Sequence, residues 1–352
     1  MAYTTINKSS DYFNGTAYTG NGTAGRDITL ATFQPDFTWI KSRSDTDNHR
    51  LVDAVRGATK HLQSDTTDAE QTSSNVTAFT SDGVTLSSNG AVNANSETYM
   101  SWNWLGANGT TANTAGSINS TVSANTTAGF SISSYTGTGS AGATVGHGLG
   151  TTPSMIIVKN RSATGNWSVY HKDAFTSQSS PGVLYLNQTA AKNNSDVNVW
   201  GNSSVTINST VFSLGDYSQT NGSGNSHIAY CFAEKQGYSK FGSYTGNGNA
   251  DGTFVYTGFK PAFVMIKRTD TGDNWLIKDI KRDPINQMEK RIFPNLSNAE
   301  DTGSGGNYDF LSNGFKLRES DAIGNASGGT YIYMAFAEAP LVGTNNVPCT
   351  AR

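Results

Sequence analysis

Tyr18-Thr19-Gly20-Asn21-Gly22 returns as Tyr135-Thr136-Gly137-Thr138-Gly139 and again as Tyr244-Thr245-Gly246-Asn247-Gly248. The same landmarks follow each copy in the same order. First comes a proline with a lysine six positions on: Pro35 and Lys41, Pro153 and Lys159, Pro261 and Lys267. Between them lie the apolar runs Phe37-Thr38-Trp39-Ile40, Met155-Ile156-Ile157-Val158 and Phe263-Val264-Met265-Ile266. An asparagine and a ring residue come next, as Asn48-His49, Asn166-Trp167 and Asn274-Trp275. Each unit ends on an alternating segment (Phe79 to Leu86, Ile207 to Leu214, Phe310 to Leu317) and then an aromatic strand, Tyr99 to Trp104, His227 to Phe232 and Tyr331 to Phe336. Such self-similarity is the signature of tandem repetition.

Short runs rich in Val, Ile, Phe, Tyr and Trp, bounded by Gly, Asn, Asp and Ser, read as strands. Asn21-Gly22, Asp82-Gly83, Asn89-Gly90, Asn247-Gly248 and Asn313-Gly314 supply the backbone dihedrals of tight turns. Helical periodicity is nearly absent, its best candidate being Pro284 to Arg291. The expected fold is all-β, three tandem β-sandwiches. Residues 1–11 form an N-terminal arm, 12–106 unit one, 130–235 unit two, 238–341 unit three and 342–352 a tail. Residues 107–129, dominated by Gly, Ala, Thr, Ser and Asn, read as a flexible spacer with room to add a strand to unit two. On that reading units two and three dock rigidly while unit one moves.

The 352 residues carry a net charge of -3 and no run of basic residues, which argues against a nucleic-acid partner or a polybasic membrane anchor. Only 14% of residues are charged, so solubility falls to Ser, Thr, Asn and Gly. Two cysteines, Cys231 and Cys349, are too few for a disulfide framework or a zinc site. No signal peptide and no membrane-length apolar run is seen, so synthesis in a cytoplasm without membrane insertion is expected.

With these turns, Gly146-His147-Gly148-Leu149-Gly150 and Tyr230-Cys231-Phe232-Ala233-Glu234 laid out, the chain resembles lectin-like repeat proteins of marine bacteriophages. The resemblance runs from Tyr12 to Arg352. It implies concanavalin-like jelly rolls and a virion structural or tail-fibre protein, and it carries no functional residue with it. A tail-fibre or tail-tip component is expected, non-enzymatic and homo-oligomeric, located in the virion, contacting other virion proteins and binding host surface polysaccharide through its loops. The alternatives are a capsid decoration protein and a capsule-degrading carbohydrate-active enzyme.

Candidate chemistry is sparse, and no catalytic residue or cofactor is assigned. A glycanase of this fold would place paired carboxylates as Glu-x-Asp-x-x-Glu; Glu319-Ser320-Asp321 begins that pattern and breaks at Gly324. Glu234 and Glu338 recur but have no partner after Trp104, which favours a structural role. Five scattered histidines, His49, His61, His147, His171 and His227, make no ligand set. Asp45 and Asp47, and Asp270 and Asp273, space their oxygens as calcium loops do, or simply form polar hairpin tips. Trp167 and Trp275 suit either sugar stacking or core packing; their recurrence favours core.

Overall fold

The computed structural model describes residues 4–175, 177, 182–202, 204–303 and 305–339, and their regular structure is almost wholly strand. In unit one an inner antiparallel sheet runs Phe13–Thr19, Thr98–Trp104, Phe37–Ser42, Arg50–Asp53. An outer sheet runs Arg26–Thr29, Gly83–Leu86, Val76–Thr80. The first long strand thus pairs with the last, and the second with the last but one, a nested wrapping that closes a sandwich. Unit three repeats it, with Ser239–Thr245, Thr330–Ala339, Lys260–Arg268, Trp275–Asp279 inside and Phe254–Tyr256, Gly314–Leu317, Tyr308–Leu311 outside. In unit two the outer layer shrinks to Ala143–Gly146 paired with Val211–Leu214, while the inner sheet grows to seven strands.

The recurrent Tyr-Thr-Gly-x-Gly turn is locked the same way each time. The tyrosine hydroxyl donates to a carbonyl of the opposite turn: Tyr18 to Val92, Tyr135 to Thr220 and Tyr244 to Gly324, at 2.7–2.8 Å. A buried asparagine of that turn, Asn93, Asn221 or Asn325, accepts the backbone N–H of residue 21, 138 or 247 at 2.8–3.0 Å. The first glycine is required because a Cβ there would lie 2.1–2.4 Å from a backbone carbonyl oxygen of the opposite turn. The second glycine has φ of +65° to +71°, which glycine adopts without strain.

The inner strands are buried on both faces. In Phe37–Ser42 every residue is buried: Ile40 faces unit one's own sandwich core with Val52, Val84 and Tyr99, while Phe37 and Trp39 face a second core. That second core is common to all three units. It includes Trp102 and Trp104 from unit one, Phe130, Tyr230 and Phe232 from unit two, and Phe241, Phe263 and Phe336 from unit three. At its centre three equivalent rings form a triangle, with centroids 6.2 Å apart for Trp104–Phe232, 5.8 Å for Trp104–Phe336 and 6.3 Å for Phe232–Phe336.

The three sheets therefore close on one another, unit one included. The stretch 107–129 is not a free spacer: Thr111–Asn113 and Ser120–Asn125 extend the inner sheet of unit two, the latter pairing with Phe130–Thr136. The buried carboxylate of Asp36 clamps its beginning, accepting from Gly106 N, Asn108 N and Ser123 Oγ at 2.8–3.1 Å. Of the N-terminal arm, Ile6 is buried in the shared core. Pro284 to Arg291 forms no helix, because Met288 and Arg291 bridge to extended segments instead. The two single-turn helices lie at Gly90–Asn93 and Ser218–Asn221. No helix among the described residues is long and apolar enough to cross a membrane. The tail 342–352, with Cys349, lies outside the described residues, and Cys231 is a buried free thiol.

Trp104 touches rings of all three units, and its buried indole N–H has no hydrogen-bond partner. Trp104→Ala is expected to cost about 3–5 kcal/mol and to lower one calorimetric transition of the whole chain. Trp104→Phe, which restores the ring type of the other two units and removes the orphan donor, should cost less than half as much. An early transition confined to unit one would contradict the shared core.

Candidate functional site

The seams between units are where the repeated polar residues meet. At the seam of units two and one, Tyr230 Oη donates to Asp53 at 2.7 Å. Asp53 is also paired with Arg56, whose guanidinium reaches Glu70, and Glu70 binds Arg161 at 2.8 and 3.0 Å. The seam of units one and three repeats this chain: Trp102 Nε1 donates to Asp279 at 3.2 Å, Asp279 holds Arg282 at 2.5 Å, and Glu300 bridges Arg282 and Arg43. At the seam of units three and two the equivalent positions are His171, Ala174, Lys192 and Thr269. His171 Nε2 instead lies 3.2 Å from the Tyr333 carbonyl, with Phe241 against the imidazole. A backbone contact persists through all three seams: Glu70 N to Arg161 O, Lys192 N to Thr269 O and Glu300 N to Arg43 O, each 2.9 Å.

The ring residue after the repeated asparagine belongs to the same seams. Trp167 and Trp275 are 0% and 1% exposed, so neither offers a face to a sugar, and both sugar-stacking candidates are corrected to core residues. Their Nε1 atoms donate across to Gln63 O and Tyr185 O at 2.8 and 2.9 Å. His49 does the same for unit one. Its Nδ1 accepts from Trp39 Nε1 at 2.8 Å, so the ring proton sits on Nε2 and points at the Phe293 carbonyl, 3.0 Å away. The backbone N–H of these ring residues donates to Asp65, Asn187 and Asn295 respectively. Where units two and three have a neutral amide, unit one has a carboxyl, and burial pushes its pKa up to about 6.

The repeated lysines are buried as well. Lys41, Lys159 and Lys267 each donate to the following residue's carbonyl, and Lys159 and Lys267 also reach across a seam to Thr67 O and Thr189 O. Burial lowers all three pKa values to about 8.

Of the calcium candidates, the structure brings Asp45 and Asp47 together with Glu97, their carboxylates within 4.8 Å of one another. This is the only such group among the described residues. Glu97 arrives from the loop preceding the closing strand, which no local spacing announces. Asp270 and Asp273 join no such group: Asp270 is taken by Arg268 and by Thr330 N, and Asp273 accepts from Asn274 N. The acidic tip is thus a property of unit one alone.

One family description, a domain of unknown function named DUF7483, matches residues 8–340. The chain belongs to the DUF7483 family. No curated protein and no solved structure matches it. A single DUF7483 match spans all three units, in agreement with a core that no unit completes by itself.

The remaining residues singled out in this DUF7483 chain serve its framework. Glu319 accepts from Asn307 Nδ2, and Asp321 accepts from Gly306 N and Gly324 N. Glu234 pairs with Lys240 and Glu338 with Lys260 at strand ends. All five histidines are buried, and burial lowers the pKa of each, His61, His171 and His227 to about 4.

Two tests follow from this geometry. Arg56→Ala leaves the buried Asp53 without its cation and should cost about 3–5 kcal/mol, measured by denaturant unfolding. A loss below 1 kcal/mol would mean the seam is held by apolar contact alone. In acid, a histidine whose folded pKa lies below its unfolded value near 6.5 binds fewer protons folded than unfolded. Its contribution is therefore lost as pH falls from about 6.5 toward 4. Glu70 and Glu300, held low by their arginines, act in the same direction, against Asp36, Asp65 and Asp273, which burial raises. The melting temperature should fall steadily between pH 7 and 4.

Proposed function

We propose that this chain is a non-enzymatic structural protein of a bacteriophage particle, a tail-fibre or tail-tip component that meets the host surface through its loops. The observation that carries the reading is closure: three sandwiches share one aromatic core, leaving a rigid body whose variable residues lie in the turns. Loops on a rigid scaffold are where recognition concentrates. The acidic tip Asp45, Asp47 and Glu97 belongs to unit one only, so the three loop sets are not equivalent. Phe254 and Tyr256, on the edge strand of unit three's outer sheet, are 43% and 58% exposed and suit contact with other particle proteins or with a second copy. The ligand class is host surface polysaccharide, which a low-charge surface rich in Ser, Thr and Asn can meet without large electrostatic cost.

The near-threefold arrangement of the seams also suits a position on a threefold axis of a capsid, which favours head decoration as the second reading. Antibody against the chain, imaged on intact particles by electron microscopy, should label the tail or its fibres, and purified chain should slow adsorption to host cells. Label on the head would exchange the two readings. Absence of label from particles would remove both.

A further inference from the structure

The first inner strand of each unit places one residue at its seam, and the three differ. Counted from the Tyr-Thr-Gly turn, the position is Ile132 in unit two, Phe241 in unit three and Gly15 in unit one. Ile132 and Phe241 are fully buried in the shared core. Gly15 has no side chain, Met100 Cε turns into the place its Cβ would take, and a cavity of about 120 Å³ remains beside them at the seam of units one and three. A glycine inside a strand costs about 0.5–1 kcal/mol relative to alanine, so this position carries a side chain in two units and, at a cost, none in the third.

The cavity is amphipathic. Its apolar side includes Ala262 and Ile280, which are partly exposed, and Phe13, Trp102 and Ala337, which are buried. The indole N–H of Trp102 and the carboxylate of Asp279 are already bonded to each other, so this part of the wall presents no unmet polar atom. Ser10, Asn14, Lys281 and Glu338 complete the lining. Ser10 Oγ, Asn14 Oδ1 and Lys281 Nζ make no hydrogen bond within the described residues, and Glu338 makes only the ion pair with Lys260. Donors and acceptors without partners, set around an apolar floor, match a ring with a C–H face and a hydroxylated edge. A cavity of about 150 Å³ holds a benzene-sized molecule, so this one is sized for a single ring that remains partly outside.

We propose that this seam cavity binds one pyranose ring of a surface glycan, a proposal that rests on the glycan-binding reading above. Gly15 keeps a side chain out of the wall, and Lys281, Glu338 and Ser10 meet hydroxyls at the rim. At the other two seams Ile132 and Phe241 occupy the position of Gly15, so one ring per chain is expected.

The test is saturation-transfer NMR on the full chain with methyl glycosides of glucose, galactose, mannose, N-acetylglucosamine and glucuronic acid. Binding of at least one, at a dissociation constant of about 1–10 mM, is expected. A Cβ on Gly15 would lie 2.7 Å from Met100 Cε, so the filling variant is the double substitution Gly15→Ile with Met100→Ile. It reproduces Ile132 and Ile228 of unit two and should fold with an unchanged or higher melting temperature while losing the transfer signal. Lys281→Ala, on the surface, should weaken binding several-fold without altering stability. Equal transfer in the folded double variant, or no transfer to any glycoside from the wild type, would overturn the proposal. Immobilised bacterial polysaccharides separate the two levels of failure: equal retention of wild type and double variant leaves glycan binding standing without this cavity, and retention of neither removes both.

Discussion

The contact on which everything else depends is the triangle of Trp104, Phe232 and Phe336. Each ring sits at the same position of its unit's closing strand, and that strand lies centrally in its sheet, flanked by the first and third strands. Fixing the three rings against one another therefore fixes three sheets. An isolated unit would expose a row of large aromatic side chains, and burying such rows is worth roughly 25 cal/mol per Å² of apolar surface. Triplication is thus a condition of the fold: a sheet with two apolar faces needs a second partner, and the chain supplies it from its own copies.

Around that axis the seams are specified rather than merely filled. Asp53, Arg56, Glu70 and Arg161 form one continuous charged chain, and Asp279, Arg282, Glu300 and Arg43 form its equivalent. At the third seam all four positions change together, to His171, Ala174, Lys192 and Thr269. That is what buried charge demands, since any one member left behind would be an uncompensated ion. A further consequence is directional. The unit-two seam lacks the arginine that its two counterparts hold, so pairing the units in another cyclic order would leave buried ions without partners.

Strands, turns and repeat were legible in the sequence because they are set by local rules: an Asn-Gly, a close-approach glycine, an apolar run of four. The closure was not, because a strand buried on both faces looks the same whether its second face meets another domain or a sister unit. The 107–129 stretch was only half legible, as a spacer with room for a strand, for a related reason. Ser, Thr and Gly describe both a flexible linker and an edge strand held by Asp36, and only the position of that buried carboxylate decides between them. Trp167 and Trp275 were legible as repeated rings but not as seam residues, since their hydrogen-bond partners lie 104 and 90 positions away. Glu97 completes an acidic group with Asp45 and Asp47 from outside the segment in which those two are neighbours.

A triplicated chain carries its own controls. Where all three copies agree, as at Asn93, Asn221 and Asn325 or at the buried lysines, the residue serves the common framework, and a role in recognition is not needed to explain it. Where two copies agree and one departs, the framework has shown that it tolerates the majority residue, so the departure has another origin. Unit one accumulates these departures: Gly15 against Ile132 and Phe241, His49 against Trp167 and Trp275, Asp65 against Asn187 and Asn295, and the acidic loop tip. His49 and Asp65 compensate each other locally, since the imidazole replaces an indole donor and the carboxylate accepts the same backbone N–H its amide counterparts accept. Gly15 is compensated only in part: Met100 Cε turns into the place of the missing side chain, and a cavity remains beside the two at the seam. Within this body, that is the position where a requirement other than folding is written most plainly.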